Sequence, residues 1–256
     1  MQSRKKRVLL VGTSHAEVLV RTHTALGSAC PFQLRPIILN ESRYFPWGEW
    51  CGDDYIVNPI VTADLTKALK GGTFDHVTMM IGGVSHFELG GVNSPRLFDF
   101  VIPERTDLPI VSGAEIIPYD LVRQFFRREE VNILKPLFLA KELAVSLSYM
   151  LPPPPVSDAE MIFGHLPDDW VEDARRLGVP DPIFRYKTWL AYASVVGDIC
   201  AERDIPVLSP PSLTLDRDGF LKQEFSEDTL HGNGTYGEAV LEQIASFINA
   251  DAVEAA

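Results

Sequence analysis

The chain has 256 residues, 46% of them hydrophobic and 10% aromatic, which is enough to bury one sizeable core. A formal net charge of −12 argues against nucleic acid and anionic membrane surfaces as main partners. One α/β domain over residues 1–256 is the expectation these figures leave.

The basic N-terminal stretch Ser3–Arg7 runs into the apolar segment Val8–Gly12. That segment is too short for a signal's hydrophobic region or a bilayer span, so a cytoplasmic protein without a membrane partner is expected. Cys30, Cys51 and Cys200 are odd in number and lack metal-ligand spacing, which fits reduced thiols.

Val8–Val11 predicts a strand buried on both faces, stopping at Gly12, and Ala16–Leu26 predicts a helix with Val18 and Leu19 inward. Ser14 then falls on a strand-to-helix turn at the carboxyl end of a central strand, where open α/β sheets gather their ligands. Its hydroxyl has two readings, a helix cap or a reactive group. Phe32–Leu39 is the second expected strand, with Pro36 in its middle marking an edge or a kink. Asn40–Pro59 reads as a long loop rich in aromatics (Tyr44, Phe45, Trp47, Trp50, Tyr55), either folded on the core or lining a cleft. Val61–Gly71 reads as a helix and Phe74–Gly82 as the third strand, followed by Gly83-Val84-Ser85-His86. If the first and third strands end on one rim, the backbone N–H groups of Ser14 and Gly83 can converge on one oxygen.

Glu88–Gly113, with three prolines, reads as an excursion at the rim. Pro118–Val131 is a helix, and Leu137–Leu151 is helical first and then the fourth strand, Leu143–Met150. Pro152–Pro155 stops that strand and reads as a stiff cleft wall, or else as a ligand for a proline-reading partner. One or two short helices follow in Ser157–Gly178, then the longest, Ile183–Asp204, with Trp189, Leu190, Ala193, Val196 and Ile199 on one face. Ile205–Leu208 is a short fifth strand, Leu213–Gln223 a small hairpin, and Gly237–Asn249 the last helix, with Ala250–Ala256 fraying. The alternation predicts a three-layer α/β/α sandwich around a mostly parallel sheet of about five strands.

Before the last helix, Asp228 and His231 stand three apart in a glycine-rich loop. This spacing lets the carboxylate fold back on Nδ1–H and leave Nε2 to take a proton from a serine. The bland reading is a turn cap and a loop histidine. No pair among the histidines has His-x-x-x-His spacing, so neither metal nor cofactor is expected, and His15 has the modest role of closing its turn.

Taken together, Gly12-Thr13-Ser14-His15, Gly82-Gly83-Val84-Ser85 and Asp228-Thr229-Leu230-His231 resemble the first, third and fifth blocks of the SGNH/GDSL hydrolases. The resemblance implies a flavodoxin-like sheet and ester hydrolysis or acyl transfer. It assigns Ser14 as nucleophile and first oxyanion donor, His231 as general base then acid, Asp228 as its orienter and Gly83 as second backbone donor. The sequence departs from the family pattern at Thr13, where Asp is usual, and at Val84, where the oxyanion Asn is expected. Ser85 or His86 would have to supply the missing donor. Gly48 and Gly52 are both candidates for the second-block glycine. The expected substrate is an O-acylated small molecule or saccharide. The alternatives are an acyltransferase to a hydroxyl acceptor and a catalytically weakened ligand-binding protein.

Overall fold

The computed structural model of the protein describes residues 4–52, 54–72, 74–144, 146–166 and 168–254. In chain order, β1 (Arg7–Gly12) leads into α1 (Ser14–Leu26), then β2 (Gln33–Ile38) and the paired β3 (Gly48–Cys51) and β4 (Asp54–Val57). α2 (Pro59–Lys70), β5 (His76–Met80) and α3 (Ser85–Gly90) follow, then the two-residue strands β6 (Phe98–Asp99) and β7 (Glu115–Ile116). The second half comprises α4 (Tyr119–Ile133), α5 (Lys135–Leu143), β8 (Leu147–Met150), α6 (Ala159–Gly164), α7 (Asp168–Leu177), α8 (Pro182–Ala201), β9 (Val207–Leu208) and α9 (Gly234–Glu254).

The main sheet has five strands in the order β2-β1-β5-β8-β9, and every neighbouring pair is parallel. β1 lies inside the sheet, between β2 and β5, and both of its faces are apolar. Leu9 and Val11 enter a core with Val61 of α2, Phe126 of α4, Leu137 of α5 and Val196 of α8. Val8 and Leu10 enter a second core with Leu19 of α1 and Val240, Leu241 and Ile244 of α9. The pleat sends alternate side chains to opposite helical layers, giving the expected α/β/α sandwich. β2 is an edge strand, so Pro36 costs no ladder bond on its open side.

The departures from the sequence reading lie where local pattern is overridden. Asn40–Trp47 is irregular as expected, but Gly48–Val57 is not: β3 and β4 form an antiparallel hairpin there, with Trp50 opposite Tyr55. Asn58 caps α2 through Ile60 N–H (2.9 Å) and ties the helix to the Tyr44 and Pro46 carbonyls. Glu88–Gly113 contains β6, which pairs with β7 just beyond it, and Asp99 of β6 meets Lys187 of α8 as an ion pair (2.5 Å), both fully buried. Such a pair tolerates burial only when its remaining valences are filled. Here Asp99 accepts from the Phe100 and Val111 amides, and Lys187 donates to the Phe100 and Pro109 carbonyls. α8 is accordingly buried well beyond the one face its apolar pattern marks. The fourth strand is β8 alone, shorter than Leu143–Met150, because α5 runs on to Leu143. The expected hairpin at Leu213–Gln223 reduces to a Leu215–Leu221 bridge around a turn in which Asp216 Oδ1 accepts from Asp218 and Phe220. α9 starts at Gly234, capped by Asn233, and continues to Glu254, past the expected fraying point; residues 255–256 lie outside the described residues. Pro152–Pro155 are all buried, which suits a wall rather than an exposed partner ligand. Among the described residues no helix is long and apolar enough to cross a membrane.

Candidate active site

Gly12 ends β1 in a space that admits no side chain. A Cβ there would lie 2.4 Å from the Met80 carbonyl oxygen and 2.5 Å from Ala16 Cβ. The chain turns at once: Thr13 N–H donates to the Met80 carbonyl (3.1 Å), and Ser14 is the first residue of α1. Thr13 takes the N-cap position, and no side-chain cap bond forms. Ser14 is therefore not the cap that one reading made it. It lies half-buried in the wall of a pocket of about 380 Å³, with Asn40, the aromatic rings of Trp47, Trp50 and Tyr55, and Val84. Trp47 and Trp50 both meet Tyr55 edge-on, at 5.7 and 5.4 Å between ring centroids. Gly48 and Gly52, the two candidates for a second-block glycine, do not serve the pocket. Gly48 sits against the Tyr55 ring and Gly52 at the hairpin tip, with φ +65°.

Asp228 and His231 form a closed unit. Nδ1 of His231 lies 2.8 Å from Asp228 Oδ2 and 3.0 Å from Oδ1, while Oδ1 also accepts from the Leu230 and His231 amides (2.7 and 2.8 Å). The loop around them is pinned by a Ser226–Gly232 bridge, by Glu227 N–H to the His231 carbonyl and by Ser226 Oγ to the Asp228 carbonyl. Burial alone would raise the Asp228 carboxyl, but the hydrogen bonds from the His231 ring and the two amides outweigh it and hold it at about 2. The carboxylate is thus ionised, and it fixes the tautomer that leaves Nε2 of His231 as acceptor. That Nε2 is buried and, among the described residues, has no hydrogen-bond partner, Ser14 included.

His15 is what brings the separate stretches together, and its position in sequence gave little sign of this. Its buried imidazole lies against the His231 ring, 4.8 Å between centroids, and close under Gly83, where a Cβ would approach its Nε2 to 3.0 Å. Ser14, the 228–231 loop and the turn after β5 therefore share one rim. Burial, and then the neighbouring His231 and His86, push the His15 imidazole down to about 3, so it is neutral and puts no positive charge beside His231.

The turn after β5 departs from expectation. Gly82 and Gly83 both adopt left-handed φ, +78° and +89°, and a side chain at Gly83 would strike Pro152. Val84 is 39% exposed and lines the pocket, but its side chain offers no polar atom. His86, one of two proposed substitutes, is turned inward and stacked on Tyr192. Ser85 lines the pocket yet is nearly buried, its Oγ 2.5 Å from Oε1 of Glu130. Glu130, from the inner face of α4, is a residue the sequence reading passed over. The run Arg127–Glu130 looks like a solvated helix face, but its last member is buried, facing Ser85 of α3 and Gly82. Among the described residues no group of three His, Cys, Asp or Glu side chains is placed to hold a metal ion.

No family model matches the chain, and no curated protein matches it either. Among solved structures it is similar to a GDSL-like lipase from Bacteroides thetaiotaomicron, at 16% identity and a TM-score of 0.48, covering 96% of this chain and 89% of that one. It is also similar to an aryl esterase of M. smegmatis in an inhibitor-bound form, at 13% identity and a TM-score of 0.45, covering 96% and 99%. A lipase/acylhydrolase from Enterococcus faecalis gives 13% identity and a TM-score of 0.41, covering 94% and 96%. These structures are of lipases and esterases.

Proposed function

We propose that the protein is a serine-dependent esterase of the SGNH/GDSL type, in which Ser14 attacks an ester carbonyl, His231 takes and returns the proton, and Asp228 orients His231. The observation that carries this is the Asp228–His231 pair, a carboxylate bonded to Nδ1 with Nε2 left buried and unpartnered beside the residue that follows Ser14. A serine hydroxyl is a poor nucleophile until a base within about 2.6–3.2 Å removes its proton. Catalytic hydrogen bonds commonly tighten only in the substrate complex, and the Ser14–Nε2 bond is assigned to that state. Attack forms the Ser14–acyl bond and expels the alcohol, which takes the proton from His231. Water or an acceptor hydroxyl then attacks the acyl group and restores Ser14. The Ser14 and Gly83 amides stabilise the oxyanion. The rings of Trp47, Trp50 and Tyr55 suit the face of a saccharide or another small O-acylated molecule.

A second reading, a ligand-binding protein that retains the pocket, is favoured by Val84 alone. The two separate on p-nitrophenyl acetate. The esterase reading requires turnover by wild type and its loss in Ser14→Ala, whereas equal rates in both would leave only the binding protein.

A further inference from the structure

Below the pocket floor lies a buried polar cluster that hydrolysis by Ser14, His231 and Asp228 does not use. Glu130 is fully buried, with Oε1 on the Ser85 hydroxyl and Oε2 without a partner among the described residues, directly under Gly82, where a Cβ would stand 3.4 Å from it. Ser85 itself forms part of the pocket wall with Ser14 and Val84. Among the described residues, Glu130 is the only polar partner of Ser85 Oγ.

We propose that Glu130 positions Ser85 as the hydroxyl donor to the oxyanion, in the place where Val84 offers none. This rests on the esterase reading above and adds to it a specific positioning residue. The physical reason is the direction of one hydrogen bond. An ionised Glu130 can only accept, so Ser85 would have to spend its single O–H inward. A neutral carboxyl donates to the Ser85 oxygen instead, which frees the Ser85 O–H to turn to the pocket.

The surroundings enforce the neutral form. The groups facing Glu130 are Glu129 on its own helix, Ser85 and Glu88 on α3, Tyr149 on β8 and Tyr192 on α8. None carries positive charge, and Tyr149 already donates to the Ile81 carbonyl (2.6 Å). A buried carboxylate with no cation beside it protonates rather than stay charged. Burial, opposed by the Ser85 bond and reinforced by Glu129 and Glu88, moves the Glu130 carboxyl up to about 8.

The test is p-nitrophenyl acetate hydrolysis against pH, with the rate at which a fluorophosphonate labels Ser14 as a second readout. Ser85→Ala is expected to lower kcat by about 10²-fold with KM little changed, the usual cost of one oxyanion donor. Glu130→Ala should lose as much, and the double variant no more than either alone. In Glu130→Gln the amide still donates to Ser85. Its activity should stay near wild type, while the fall in rate above pH about 8 disappears. Ser14 labelling with equal rates in wild type and Ser85→Ala overturns the proposal but leaves the esterase reading intact. So does an alkaline fall that survives in Glu130→Gln. No Ser14 labelling in wild type overturns the esterase reading, and this proposal with it. Ser85→Ala alters only one hydroxyl on the first turn of α3, so it decides the matter even if Glu130→Ala fails to fold.

Discussion

The Asp228–His231 loop and the Gly82–Ser85 turn sit on the same rim but are held in opposite ways. In the loop, every bond that shapes the pair comes from within a few residues: two amides and an imidazole on one carboxylate. The turn takes its form from distant elements. Pro152 lies against Gly83, Ile133 against Gly82, and Glu130 of α4 holds Ser85. Chemistry of short range is therefore written in adjacent letters, while chemistry of long range depends on how helices pack.

The comparison can be broken first at its shared product, the proposed nucleophile and its proposed base. Ser14→Ala and His231→Ala should each reduce ester turnover by about 10⁴-fold or more, and the double variant should be no worse, since residues acting as a unit are not additive. Additive losses in steady-state kinetics would mean the two do not act on one proton. Asp228→Asn comes next. It keeps an acceptor for the two amides but removes the charge that sets the tautomer, so kcat should fall by about 10²–10⁴-fold while thermal stability changes little. A large drop in melting temperature would make the loop structural rather than catalytic.

On the other side, Val84→Asn tests whether a carboxamide can stand in for the long-range arrangement. In a Ser85→Ala background it should recover much of the lost rate, and in wild type it should add less than about tenfold, because the donor is already present. Equal gains in both backgrounds would show that Ser85 does not occupy that role. Gly83→Ala should destabilise by about 1–3 kcal/mol, since its φ of +89° and the nearness of Pro152 both oppose a side chain. Chemical denaturation measures this directly.

The smallest expected effect is on stability against pH. His15 and His86 are held down at about 3 and His76 at about 4, chiefly by burial. The unfolded chain binds those protons first, so their contribution is complete above pH about 6.5 and is lost as pH falls below it. Glu130 has the opposite sign: raised to about 8, it favours the fold at low pH and loses that contribution as pH rises from about 4.5 to 8. The three histidines outnumber the one carboxyl, so stability should decline by on the order of 3 kcal/mol per pH unit between pH 6.5 and 4.5 and slip more gently above 6.5. Urea midpoints across this range that rise on acidification would contradict the neutral, buried state of the histidines.

Much of the fold follows from the order of apolar runs. Val8–Val11 fits an inner strand, and Pro36 marks an edge or a kink, of which the fold takes the edge. The Gly48–Val57 hairpin was hidden because Trp50, Tyr55 and Ile56 look like scattered aromatics until they pair across strands. Asp228 and His231 stand out in the sequence only in combination with the Ser14 and Gly83 stretches, since their spacing alone also fits a turn cap. His15 and Glu130 do not stand out: one resembles a turn residue and the other a surface charge, and each acquires its meaning from partners far along the chain.

The most direct measurement is mass spectrometry of the protein after reaction with a fluorophosphonate at neutral pH, in wild type and in His231→Ala. A single adduct on Ser14, formed in wild type and abolished or greatly slowed in His231→Ala, is the predicted result. An unmodified Ser14, or a Ser14 that reacts equally fast without His231, would contradict the account.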